Sequence, residues 1–179
     1  RLADSLVKIG KQAGLTIEAF ITRMEEPLGY TIGNALETRE AFDVLHGKGP
    51  EDIISLTKLF AKRMLCLSKI AVHEKEAEEM LDNSLKEGRA AALAKKWIAY
   101  QDGDASTVDS PNQLRVSKTT TVISASANGY IQSINGLKLA IEAMHLGAGR
   151  QRAEDLIDHS VGLELHVQIN DKVKQGQPL

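Results

Sequence analysis

Pro27-Leu28-Gly29-Tyr30-Thr31-Ile32-Gly33-Asn34-Ala35-Leu36-Glu37 is the stretch on which the reading of this chain turns. Pro27 and Gly29 interrupt the pattern before them and mark a loop. From Gly33 to about Leu45 the apolar spacing is helical, and Gly47 and Gly49-Pro50 end it. Pro50 then stands at the start of a second helix, with Glu51 and Asp52 in its first turn. That is where proline is tolerated and where carboxylates meet the positive end of the helix dipole. Ile54, Leu56, Leu59, Phe60, Met64, Leu65 and Leu67 carry this helix onward. Two more helices are predicted at roughly 74–87 and 89–100.

Working outward, residues 2–12 have Leu2, Leu6 and Ile9 at helical spacing, and residues 16–22 read as a strand. A polar stretch from Gln101 to Lys118 is the best candidate for an internal boundary. Beyond it, Thr119–Ile123 and Tyr130–Ile134 read as strands around Asn128-Gly129, a hairpin-type turn. Residues 136–145 look helical. Leu163–Ile169 alternates strictly and predicts a half-buried strand, turned by Asn170-Asp171. The first two-thirds is helix-rich, and the last third is mixed with antiparallel strands.

The chain has 179 residues, enough for one domain with a core or two small ones. Hydrophobic residues make up 42% and charged residues 26%, as in ordinary globular proteins. A net charge of −2 supplies no field that favours nucleic acid or an anionic membrane surface. Cys66 is the only cysteine, so no internal disulfide can form, and it reads as a small buried apolar side chain. The five histidines are scattered and there is no CxxC, so no zinc spacing is present. No apolar run approaches the ~20 residues that span a bilayer, and no signal peptide is visible. A soluble, cytoplasmic protein is expected. Arg1 opens directly into a helical run without an initiator Met, and Pro178-Leu179 follows a turn after which a strand is expected. Both ends read as interruptions of a longer protein.

Motif searches for chemistry return little: no GxGxxG, Walker loop, GxSxG or HExxH. Gly147-Ala148-Gly149-Arg150 is compatible with a phosphate cradle or with a tight packed turn. Glu40 lies one turn beyond Leu36, itself one turn beyond Ile32, which puts a carboxylate at the edge of an apolar face. It reads either as a salt-bridged edge residue or as a group with a cation, base or metal partner. Glu37 lies off that row and is expected to face solvent. Asp102 and Asp104 suit an Asx-type turn better than a calcium loop, which needs more oxygen ligands at regular spacing. Trp97 and Phe60 are read as core residues.

Several segments together resemble the pyrimidine-nucleoside phosphorylase and thymidine phosphorylase family. The strongest is Met24-Glu25-Glu26-Pro27-Leu28-Gly29 continuing to Gly33-Asn34-Ala35-Leu36-Glu37, close to the family's M-x-x-P-L-G-x-x-x-G-N-A-L-E run. Gly47-x-Gly49-Pro50-Glu51-Asp52, Gln101–Ser106, Leu146–Arg150, Val161-Gly162 and Asp171–Leu179 follow in order. The family usually has Gly where Asp102 stands and Leu-Pro where Leu114-Arg115 stand.

The resemblance implies an α/β fold with an α+β C-terminal part. Residues 1–116 would be the C-terminal portion of a mixed-sheet α/β domain, and residues 117–179 an antiparallel-strand and helix subdomain. It implies phosphorolysis of thymidine or uridine to free base and pentose 1-phosphate, with phosphate as co-substrate. It also implies a homodimer in the full-length protein. The family's phosphate- and base-binding residues lie upstream of the position matching Arg1, so no catalytic residue is assigned within this chain and the chain alone is expected to be inactive. One family site does reach it: a potassium ion beside the phosphate loop. By the matching motif, Leu28 and Thr31 would offer backbone carbonyls and Glu40 its carboxylate, and Thr31 would act through its main chain. Two other readings are weighed: a related phosphoribosyltransferase or nucleotide phosphorylase, and a biotinyl/lipoyl-like carrier with Lys172 as the modified residue. Neither nucleic acid nor membrane is an expected partner.

Overall fold

The helices form where the spacing and caps predict them. A computed structural model describes residues 1–179. Its helices are α1 (Leu2–Gln12), α2 (Asn34–Leu45), α3 (Glu51–Leu67), α4 (Glu74–Lys86), α5 (Arg89–Tyr100) and α6 (Gly136–Ala143). Pro50 is the N-cap of α3, with Glu51 and Asp52 in the first turn. Four short strands complete the fold: β1 (Thr31–Ile32), β2 (Gly129–Tyr130), β3 (Leu163–Glu164) and β4 (Lys172–Val173). They form two antiparallel pairs, β1 with β3 and β2 with β4. Helices with small antiparallel sheets are the mixed α and β class expected of this chain.

Two small cores hold it together. Phe42, Ala91 and Val108 bring α2, α5 and the 3-10 turn Ala105–Val108 together, with Leu45, Ala94, Ile98 and Leu114 around them. Ala125, Val167 and Val173 form the second, flanked by Ile131 and Leu179. The polar stretch between them is pinned by Arg39 of α2, whose guanidinium donates to the carbonyls of Pro111, Asn112 and Leu114. Asp109 pairs with Lys95, and its other oxygen lies 3.5 Å from His46 Nε2. The Lys95 ammonium, more than His46, holds the Asp109 carboxyl below its usual range.

Three expectations about strands are revised. Residues 16–23 make no backbone hydrogen bond, so the predicted strand over 16–22 has no neighbour to complete it. Thr119–Ile123 and Tyr130–Ile134 do not pair with each other. Both hydrogen-bond to the chain's last segment instead, Leu179 N–H to Ile123 and Ile131 N–H to Asp171, with a bridge between Ser124 and Pro178. Only Leu163–Glu164 of the alternating run forms ladder pairs, although the alternation survives in burial: Val167 is buried while Glu164 and His166 are exposed.

Trp97 and Phe60 are corrected from core to surface, at 66% and 38% exposed. The cause is general. The accessible surface is 13083 Å², against about 8,500 Å² for a folded monomer of this mass. The 17-residue α3 buries none of its side chains fully. Its apolar face is covered only in part, and Trp97 on α5 is likewise left exposed.

The unpaired segment is anchored through side chains. Arg63 of α3 binds Glu18 through two donors and reaches Glu74 at 2.5 Å. Phe20 packs edge-on to Phe60, with centroids 5.5 Å apart. Arg63 holds the Glu18 carboxyl below its usual range, and Lys62 and then Arg63 do the same for Glu74. Depressed folded-state values make this tie fully effective above the unfolded carboxyl value of about 4.3 and weaken it as pH falls through the folded values. Limited proteolysis within residues 16–23 should therefore be slow at neutral pH and accelerate only below about pH 4. Arg63→Met should give the fast rate at every pH.

Candidate functional site

The loop between Pro27 and Gly33 is held by two carboxylates from different helices. Glu40, in the second turn of α2, is half-buried. Its Oε1 accepts the Tyr30 N–H at 3.0 Å and its Oε2 accepts the Thr31 hydroxyl at 2.9 Å. Asp52, in the first turn of α3, accepts the Gly29 N–H at 2.9 Å on Oδ2 and the Ile53 N–H at 2.9 Å on Oδ1. Gly29 sits between them with φ +78°, and a Cβ there would lie 2.4 Å from Glu40 Oε2. Only glycine suits that conformation and that approach. On the opposite side, Leu165 N–H donates to the Tyr30 carbonyl at 2.7 Å.

Of the three residues singled out by resemblance, Glu40 on α2 contacts Thr31, and Leu28 lies three residues before Thr31 in the same loop. The Leu28 carbonyl accepts no hydrogen bond. Thr31 is opposite Glu164 and Ile32 opposite Leu163. With the Tyr30–Leu165 bond this makes Thr31–Glu164 the non-hydrogen-bonded pair, so the Thr31 carbonyl is turned away from β3. Two carbonyls without donors and one carboxylate are hard oxygen donors of the kind that suit a hard cation. No group of three or more His, Cys, Asp or Glu side chains gathers anywhere in the molecule.

Two features of this site leave no signal in the sequence. The helix dipole is the only role the sequence gives Asp52, because its bond to Gly29 spans 23 residues and leaves no local pattern. The resemblance gives Thr31 a main-chain role alone, yet its hydroxyl is one of the two donors on Glu40. Glu37 is exposed as expected, and it also caps α2 by accepting the Gly33 N–H at 2.9 Å.

Other candidates resolve into structural roles. Gly147 has φ +106° and lies in a tight turn. Its carbonyl accepts the Asp158 N–H, and the Ala148 carbonyl accepts Asn34 Nδ2 at 3.3 Å. Asp104 accepts the Ser106 N–H at 2.9 Å, an Asx turn. Asp102 has φ +59°, a conformation that explains why the resembling family carries glycine there. Lys172 lies within β4, its ammonium 6.0 Å from the Tyr130 ring, rather than at the tip of a hairpin as a carrier lysine would. Beside the loop opens a cavity of about 170 Å³ bordered by Arg23, Asp52 and Gln168. That is well below the ~300–1,000 Å³ typical of small-molecule pockets.

Comparisons with known proteins agree with the loop motif. Residues 130–179 match the pyrimidine nucleoside phosphorylase C-terminal domain. A pyrimidine-nucleoside phosphorylase of Geobacillus stearothermophilus is 42% identical over 178 residues, covering 99% of this chain and 41% of that protein. The Bacillus subtilis protein of the same name is 39% identical over 178 residues, with the same coverage. One from Staphylococcus epidermidis is 39% identical over 176 residues, covering 98% of this chain and 41% of that protein. The chain carries the C-terminal domain of the pyrimidine nucleoside phosphorylases over residues 130–179 and aligns with proteins of that name over nearly its whole length. It spans about two-fifths of the length of the curated relatives it matches. No helix of the chain is long and apolar enough to cross a membrane.

The Thr31 hydroxyl bond is half-buried and neutral-to-charged. Thr31→Val should lower stability by about 1 kcal/mol in urea unfolding, and Thr31→Ser should largely restore it. Gly33 has φ +128°, and a Cβ there would come 2.4 Å from the Val161 carbonyl oxygen. Gly33→Ala should cost at least about 2 kcal/mol in the same assay.

Proposed function

We propose that this chain is part of an enzyme that cleaves pyrimidine nucleosides with phosphate, releasing the base and a pentose 1-phosphate. The observation that carries the reading is the alignment of 99% of the chain with proteins named for that activity, together with an intact Pro27–Glu40 loop. Phosphorolysis needs an anionic nucleophile held at C1′ and a departing base stabilised as charge develops. No residue of this chain is assigned to either task. Its contribution lies in the α/β body (residues 1–116) and the C-terminal subdomain (117–179), in an enzyme that works as a cytoplasmic homodimer.

Within that reading, Leu28 and Thr31 offer carbonyls and Glu40 its carboxylate to a potassium ion. A weakly hydrated monovalent cation suits neutral carbonyls with one carboxylate. When bound, it supplies fixed positive charge near an anionic co-substrate. What the chain's own residues do is hold the loop open to it: Tyr30 N–H and the Thr31 hydroxyl fix the orientation of Glu40.

A full-length polypeptide containing this chain should phosphorolyse thymidine or uridine in a spectrophotometric assay. The 179-residue chain alone should show no turnover. In the full-length protein, Glu40→Gln should abolish the potassium dependence of the rate. Turnover by the pure chain, or no activity of the full-length protein on either nucleoside, would contradict the assignment.

A further inference from the structure

We propose that Asp52 is a positioning residue that aims the Leu28 carbonyl; the proposal rests on the cation-site reading above. The argument begins with the peptide plane. All peptide bonds here are trans, and in a trans peptide the carbonyl and the N–H of one plane point in opposite directions. The plane between Leu28 and Gly29 carries the Leu28 carbonyl and the Gly29 N–H. Asp52 Oδ2 holds that N–H at 2.9 Å. The Leu28 carbonyl is therefore directed away from Asp52 and from the N-terminus of α3.

The same reasoning separates the other restraints. The Thr31 carbonyl shares a plane with the Ile32 N–H, which lies in a bonded pair with Leu163, so the β1–β3 pairing aims that carbonyl. Glu40 holds the Tyr30 N–H, which fixes the Gly29 carbonyl and neither of the two candidate ligands. Asp52 is thus the one side chain whose hydrogen bond sets the direction of Leu28. A carboxylate is needed there because each oxygen accepts a different N–H, Gly29 on one and Ile53 on the other. Asparagine has one acceptor oxygen and one amide donor, so it can satisfy only one of the two.

The test is a potassium titration of the full-length polypeptide containing this chain, with tetramethylammonium keeping ionic strength constant. Carbonyl carbon shifts of Leu28 and Thr31 and hydrogen exchange of the Gly29 amide are the readouts. The unmodified protein should show saturating shifts at both carbonyls and a protected Gly29 amide. Asp52→Ala should expose that amide and weaken potassium binding at least tenfold, with Asp52→Asn intermediate. Glu51→Ala removes a carboxylate from the same helical turn without touching the loop, and it should leave both readouts unchanged. Should Asp52→Ala fail to fold, Asp52→Asn carries the comparison. Wild-type potassium affinity in an Asp52 variant whose Gly29 amide is exposed would overturn the role of Asp52 alone. An unmodified full-length protein with a protected Gly29 amide and no potassium response would overturn the cation site and this proposal with it.

Discussion

Two carboxylates gripping one glycine-centred loop set the geometry on which the rest of this structure depends. Glu40 reaches it from α2 and Asp52 from α3, so the loop ties the ends of two helices to one point. The same loop leads into β1, whose pairing with β3 ties the helical part to the C-terminal strands. Backbone donors on the loop are satisfied by side chains, which leaves some of its carbonyls without protein partners. Buried backbone groups normally find partners within secondary structure. A loop that spends carboxylates on its N–H groups is organised around its oxygens.

Local rules made the helices legible. Helical spacing, Pro50 and the first-turn acids placed α2 to α5 within a few residues of their observed limits. The candidate triad rests on resemblance, since only Glu40 has a position on a helix face to argue from. What stayed hidden was long-range. The bond from Gly29 to Asp52 and the pairing of 123–131 with 171–179 depend on segments far apart in the chain. Alternation in 163–169 correctly told inside from outside, but could not tell which neighbour would supply hydrogen bonds. The hairpin predicted around Asn128-Gly129 failed for that reason.

The placement of Trp97 and Phe60 teaches the complementary lesson. Apolar periodicity reports that a face is to be covered, and it says nothing of what covers it. About 4,500 Å² of surface beyond that of a typical monomer of this size remains accessible, more than a standard protein–protein interface buries in total. The relatives are more than twice as long as the aligned segment.

The segment 16–23 adds a consequence for handling the protein. It is rich in β-formers such as Thr16, Ile17, Phe20, Ile21 and Thr22, and its backbone groups make no backbone hydrogen bond. Such an edge is a template on which a second chain can add a strand, and natural proteins usually blunt it with charge, proline or a covering element. Here the only charges in it are Glu18, already engaged by Arg63, and Arg23 at its end. The unpaired backbone of residues 16–23 is therefore the place on this chain where a second copy would add a strand.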